Sequence, residues 1–212
     1  MNLLVVKANN RPDGVSTEMY KTFIEAANEI ESLNVTTYDL YNEDLPYLGQ
    51  DLFSAFGKLQ SGEELTEVEQ RILAAKQKAM DAFAAADVLV FAFPLWNLTI
   101  PAVLQTFVDY VYAAGFTFKY NADGSMDQLM KDKKVVLLNA SGGVYSIPET
   151  EGMEMSVNYM RNVFGNVFGM EIIGEVIIEG HNAMLDKAQE IIQEGLRQVT
   201  EVASKLTYQQ HA

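Results

Sequence analysis

The sequence predicts an open, doubly wound α/β sheet in which five mostly parallel strands alternate with helices covering both faces. Two observations carry the prediction. Short unbroken apolar runs at 3–6 (LLVV), 88–93 (VLVFAF) and 135–138 (VVLL) have the composition of strands buried on both sides of a parallel sheet. Between them lie stretches with the 3.6-residue apolar period of amphipathic helices, long enough for the crossovers that parallel strands require. Right-handed crossovers then distribute the helices over both faces.

The first strand, 3–6, runs into a polar loop over 7–15 with the turn-formers Asn9, Asn10, Pro12 and Gly14. Ser16 stands where a helix N-cap belongs, and Met19, Phe23, Ala26, Ala27 and Ile30 mark one side of the helix that follows. The mixed run 35–40 (VTTYDL) suits an edge strand. Residues 41–66 are too many for a structureless loop. A partly helical insertion is expected there, because Leu52, Phe53, Phe56 and Leu59 have helical spacing.

Thr66 and Glu69 read as a capping box opening a helix with Val68, Ile72, Ala75, Ala79 and Phe83 on one side. The central strand, 88–93, ends at Pro94 and an unusual loop holding the only tryptophan, Trp96. Pro101 falls in the first turn of a helix marked by Val103, Phe107, Val111 and Tyr112, with Gly115 as its expected stop. An extended piece, 117–120, and a turn, 121–124, precede the strand at 135–138. A helix with Met153, Val157, Met160, Phe164 and Val167 is expected to end at Gly169. A last strand within 171–179 and a closing helix from Met184 to Leu206 complete the chain. No repeat or linker interrupts it, so 1–212 is read as one domain.

Composition narrows the chemistry. Fifteen basic residues against 29 acidic ones give a net charge of −14, a field that repels nucleic acid and anionic lipid, so neither a nucleic-acid nor a membrane partner is expected. The absence of cysteine removes disulfides and thiolate chemistry. The apolar start is too short for a secretion signal and no run has the length of a membrane span, so a cytoplasmic protein is expected. Two histidines, His181 and His211, make no metal set, and neither HExxH nor G-x-S-x-G occurs. The acidic stretches 63–64 and 149–154 read as solvated faces, and Met153, Met155 and Met160 as core packing. With no titratable cluster to do the work, a cofactor is expected to carry the chemistry.

In such a sheet, ligands sit at the carboxyl ends of the strands. Three loops qualify by position. The first ends at a helix N-terminus, where Ser16 and Thr17 fit either a phosphate site or an ordinary cap; it has no GxGxxG and no P-loop lysine. The second, 94–99, places Trp96 either along a flat ligand or in the core. The third, Ser141-Gly142-Gly143-Val144-Tyr145, allows close backbone approach or is a plain turn.

Four segments, NLLVVKA (2–8), PLWNLTIP (94–101), AGFTFKY (114–120) and SGGVY (141–145), together resemble the FMN-dependent NADH azoreductase (NADH:quinone oxidoreductase) family of bacteria, over nearly the whole chain. The resemblance implies a flavodoxin-like fold with strand order 2-1-3-4-5, a homodimer, FMN as cofactor and NADH as electron donor. Quinones would be reduced, and aromatic azo compounds reductively cleaved, in ping-pong order without an essential side-chain acid or base. It assigns the phosphate to Ser16, with Thr17 and Asn9 nearby; Gly14 stands where the family has a hydroxyl residue. The flavin ring would lie along Pro94, Leu95, Trp96, Asn97 and Leu98, with Ser141, Gly142, Gly143 and Tyr145 completing its pocket. Phe53, Phe56, Phe118, Tyr120 and Phe164 would line the substrate slot. The residues alone also admit a flavodoxin-type electron carrier or a flavin-binding regulatory protein on the same fold.

Overall fold

The computed structural model describes residues 1–206; His211, noted above, lies outside them. Strands β1 (Asn2–Lys7), β2 (Asn34–Asp39), β3 (Val88–Pro94), β6 (Lys134–Ser141) and β7 (Glu171–Glu179) form a sheet in the order β2-β1-β3-β6-β7, with every neighbouring pair parallel. Counting these five alone, the order is 2-1-3-4-5, as expected. A separate antiparallel hairpin, β4 (Phe118–Tyr120) and β5 (Met126–Gln128), turns the expected extended piece at 117–120 into a paired strand.

Alternation along the strands divides the core in two. Leu3, Val5, Val88, Val90, Ala92, Val136 and Leu138 face α1 (Val15–Asn28) and α6 (Ala188–Lys205), meeting Met19, Phe23, Ala27, Val199 and Ala203. Leu4, Val6, Leu89, Phe91, Phe93, Val135 and Leu137 face the other way. They meet α3 (Glu67–Ala85), α4 (Ala102–Val111), α5 (Val157–Met160) and the π-helical turns Arg161–Val167. There Phe91 and Phe164 lie 4.5 Å apart between ring centres. The insertion contains α2 (Gln50–Ser61), capped at Gly62. The Thr66–Glu69 capping box is present, with both reciprocal bonds made.

Several local expectations are corrected. Gly14, not Ser16, is the N-cap of α1, and it makes no side-chain cap bond; Ser16 lies inside the first turn. Helix α4 stops at Val111, before Gly115, because its last turn gives way to a chain reversal in which Thr117 Oγ1 donates to the Val111 carbonyl. Gly115 holds a left-handed turn with φ 83° instead. The helix expected through 153–167 is broken into a 3₁₀ turn (Glu151–Met153), one α turn and the π-helical run. Met153 and Met155 are exposed, not core. Val68 points outward from α3, and Met184 precedes α6 rather than opening it. Among the described residues, no helix is long and apolar enough to cross a membrane.

Candidate functional site

The loops after β1, β3 and β6 meet at the carboxyl end of the sheet, joined by a fourth after β7. Together they enclose a polar cavity of about 160 Å³. The first loop contributes Asn9, Arg11, Gly14, Val15 and Ser16, the second Pro94, Leu95 and Trp96, the third Ala140 and Gly142, and the fourth His181 and Asn182.

In the first loop, Asn9 is buried and its amide braces the chain at both ends: Nδ2 donates to Ser16 Oγ at 2.8 Å and Oδ1 accepts the Arg11 N–H at 3.0 Å, which leaves the second Nδ2 proton to donate. Ser16 Oγ is thus occupied as an acceptor, which leaves its proton to donate into the cavity. Thr17 differs: its hydroxyl donates to the Arg11 carbonyl at 2.8 Å, so it braces the loop and does not supply a second free hydroxyl. A Cβ on Gly14 would lie 2.5 Å from Asn9 Nδ2, so the missing side chain makes room for the buried asparagine. The first N–H groups of α1 have no helical acceptor, and the positive end of its dipole opens here, the surroundings an anion needs.

In the second loop, Trp96 and Thr99 exchange backbone hydrogen bonds (3.0 and 3.1 Å) around a two-residue corner, Asn97 and Leu98. Both corner residues are left-handed, φ 51° and 70°, the only non-glycine residues with positive φ among those described. A leucine there costs about 1–2 kcal/mol, which the surrounding bonds must hold in place. Among the described residues no acceptor takes the N–H of Asn97 or Leu98. These N–H groups are left for a ligand.

Trp96 is half-buried and walls two spaces. Beyond the polar cavity lies a larger cleft of about 630 Å³, lined by Trp96, Asn97, Ile100, Val103 and Asp109 together with Tyr41 and Tyr47 of the insertion. The insertion therefore brings tyrosines, not the expected phenylalanines, to the loop. Phe53 is exposed on α2, and Phe56 lines a separate cavity with Met80 and Phe116. Phe164 is fully buried between Phe83 and Phe91, so it belongs to the core and lines no slot. Phe118 is buried against Tyr112, while Tyr120 is exposed on the hairpin.

In the third loop, Ser141 Oγ donates to the Gly143 carbonyl at 3.0 Å, an internal brace. Tyr145 packs over Gly143, its N–H held by Glu179 at 2.7 Å, and faces a cavity of about 440 Å³ with Glu154 and Arg161. Of this loop's residues, Gly142 alone among those expected reaches the polar cavity, where a Cβ would come within 2.5 Å of Asn182 Nδ2.

The fourth loop is the part that reading the sequence missed. Gly180 N–H bonds the carbonyls of Ser141 and Gly143, and Asn182 and Ala183 N–H both bond that of Gly142. His181 is thereby fixed at the cavity with Nδ1 buried and unpartnered, and burial pushes its imidazole below the ordinary histidine pKa. The available signal was positional: a loop after a fifth parallel strand ends at the same edge as the other three.

A family model described as flavodoxin-like fold matches residues 1–203. The chain belongs to the flavodoxin-like family. It is 46% identical to FMN-dependent NADH:quinone oxidoreductase 1 of Bacillus subtilis over 206 residues, 96% of this chain and 98% of that one. The crystal structure of an azoreductase from Bacillus anthracis str. Sterne superposes with a TM-score of 0.88 at 46% identity, covering 96% of this chain and 99% of that one. A second Bacillus anthracis structure, an FMN-dependent NADH-azoreductase in complex with FMN, has a TM-score of 0.88 at 28% identity, with 97% and 98% covered.

As a flavodoxin-like site, the arrangement has clear chemical limits. One end suits an anion, the middle offers backbone N–H groups to the polar edge of a flat molecule, and an aromatic cleft adjoins it. Among the described residues, no acid–base pair faces the polar cavity, where Arg11 and His181 are the titratable side chains. Such a site holds and orients a reactive group brought from outside.

Proposed function

We propose that the protein is an FMN-dependent oxidoreductase that passes two electrons from NADH to quinones and reductively cleaves aromatic azo compounds, with donor and acceptor occupying one cleft in turn. The observation that carries this reading is the Asn97–Leu98 corner. Its strained backbone presents two unspent N–H groups where an anion-binding cavity and an aromatic cleft share the Trp96 wall.

The residues present fit FMN. Ser16, Asn9 and the α1 N-terminus would hold its phosphate, and the backbone of Leu95 to Leu98 would run along the ring with Pro94 setting the turn. Ser141, Gly142, Gly143 and Tyr145 form the facing loop, in which Gly142 makes the near wall and the others keep its shape. When bound, FMN supplies the two-electron chemistry. The chain binds, orients and shields: Trp96, Tyr41, Tyr47, Ile100 and Val103 give the cleft a mostly apolar lining for a flat acceptor. Fixed N–H dipoles favour negative charge on the ring's polar edge as it is reduced. Tyr120 on the hairpin, with the buried Phe118 packed behind it, and Phe53 on α2 lie away from this cleft's lining, and we infer that the exposed Tyr120 and Phe53 serve from a second copy, in a cytoplasmic homodimer.

Anaerobic addition of NADH to purified, FMN-loaded protein tests the reading. Yellow protein should bleach and recover its colour on addition of a quinone. Yellow protein inert to NADH points to an electron carrier, and protein that takes up no FMN overturns the proposal.

A further inference from the structure

The polar cavity contains one feature that neither the loop pattern nor the relatives' names explain, the unpartnered His181. A buried ring nitrogen with no partner costs free energy that folding has no reason to accept unless a ligand completes it. Its backbone is not free to swing away. Gly180, Asn182 and Ala183 donate four hydrogen bonds of 3.0–3.1 Å to the carbonyls of Ser141, Gly142 and Gly143. The backbone on either side of His181 is therefore held, which leaves rotation of the ring as its freedom in the cavity it shares with Gly14, Val15 and Ser16.

The charge around it has one sign. Arg11 is the other ionisable residue lining the cavity. Asp13, in the same loop, is 3.3 Å from the Arg11 guanidinium and turned to it. Glu179, at the end of β7, spends its carboxylate on the Tyr145 N–H and the Ser146 hydroxyl. No carboxylate lines the cavity among the described residues. The α1 N-terminus and the Ser16 hydroxyl thus converge as donors with no acceptor, beside the Asp13-paired Arg11, and His181 lines the same space.

Building on the FMN reading above, we propose that His181 is a phosphate ligand of the cofactor site, its imidazole turning to donate a ring N–H to a phosphate-monoester oxygen across from Ser16. Both ring nitrogens carry protons in the imidazolium form, and a phosphate dianion beside the ring favours that form. Burial disfavours the charged ring in the empty cavity. Binding therefore takes up a proton at His181 near neutral pH, and this contribution to retention fades as pH rises through the imidazole's value in the complex.

The full chain offers a direct measurement. It contains two histidines, so a His211→Gln variant assigns the His181 ring resonances by elimination. In wild-type protein titrated by NMR, the imidazole pKa of His181 should rise on binding FMN and stay unmoved on binding riboflavin, which has the ring and ribityl chain but no phosphate. A His181→Gln variant should bind FMN about tenfold more weakly, as for loss of a hydrogen bond to a charged group, with unchanged riboflavin affinity. Calorimetry in two buffers of different ionisation enthalpy should show that the variant has lost the proton uptake. An unmoved imidazole, or equal loss of FMN and riboflavin affinity, overturns the assignment. Should wild-type protein bind neither flavin, the cofactor reading fails. Titration with inorganic phosphate then decides His181 separately: a raised imidazole pKa supports an anion ligand and a flat response removes it.

Discussion

Met155 donates its backbone N–H to the carbonyl of Leu98 at 3.1 Å, fastening the left-handed corner after β3 to the segment that leads into α5. That segment is itself held by Glu154, whose carboxylate accepts the N–H groups of Ser156, Val157 and Asn158. The corner is therefore supported from a helix start more than fifty residues away in sequence.

Removing that support should be felt at the cofactor. Glu154→Ala takes away the cap, a loss of about 1 kcal/mol for a helix N-terminus, and frees Met155 to drift from Leu98. FMN should dissociate several times faster in a stopped-flow chase with excess apoprotein acceptor. An unchanged release rate would show that the corner stands without its tether.

Asn97 tests the corner from within. Asparagine and glycine tolerate its φ of 51°, whereas alanine pays about 1 kcal/mol more. Asn97→Ala should lower Tm by only about 2–4 °C yet weaken FMN binding by about tenfold; Asn97→Gly should spare both. Equal FMN affinity in all three proteins would sink the account of a backbone-presenting turn.

Gly142 and Asn182 make a coupled pair. A Cβ at 142 would lie 2.5 Å from Asn182 Nδ2, and the amide, being the far end of an exposed side chain, would swing away, across the mouth of the polar cavity. Gly142→Ala should reduce FMN affinity with little change in Tm, and adding Asn182→Ala should restore much of it. A double-mutant cycle measures this, and additive losses would exclude the steric coupling.

Glu69 gives a pH signature far from the cofactor. Lys58, Ser54 and the Thr66 N–H all bond its carboxylate and bring it down to about 2 from an ordinary value of 4.5. Because the folded form is the stronger acid, the unfolded chain takes up the proton first as pH falls. The stabilisation is complete above the unfolded value and disappears between there and about pH 2. Glu69→Gln should melt below wild type at neutral pH, with the gap closing through that window. A gap that persists at pH 2 would assign the effect to packing.

How far the sequence reveals this molecule depends on whether a signal is local. The apolar runs and the Thr66–Glu69 pair are local, since strand burial and helix caps depend on residues a few positions apart, and both appear where expected. Phe53, Phe56 and Phe164 show the opposite case. Helical spacing tells that such rings share a face, and only tertiary packing decides which face turns inward; Phe164 went to the core, and Tyr41 and Tyr47, outside any periodic pattern, reached the cleft. Thr17 illustrates competition within a loop, its hydroxyl captured by the Arg11 carbonyl before any ligand could use it. A single histidine after a strand has no periodicity or spacing to betray it. His181 becomes legible only when four loops are seen to converge.

The cationic lining of the polar cavity sits in a chain of net charge −14. At about 0.01 M salt the Debye length is about 30 Å, and an approaching dianion meets the whole chain's repulsion before it feels the few donors inside; at about 0.1 M that repulsion is screened beyond about 10 Å. Capture is then slow at low ionic strength and quickens as salt is added, the reverse of a steered encounter. The same field discourages polyphosphates and nucleic acids that would compete for an anion site. A cofactor, once inside, is held by contacts that salt reaches poorly, so the acidic surface acts as a kinetic filter around a small basic interior.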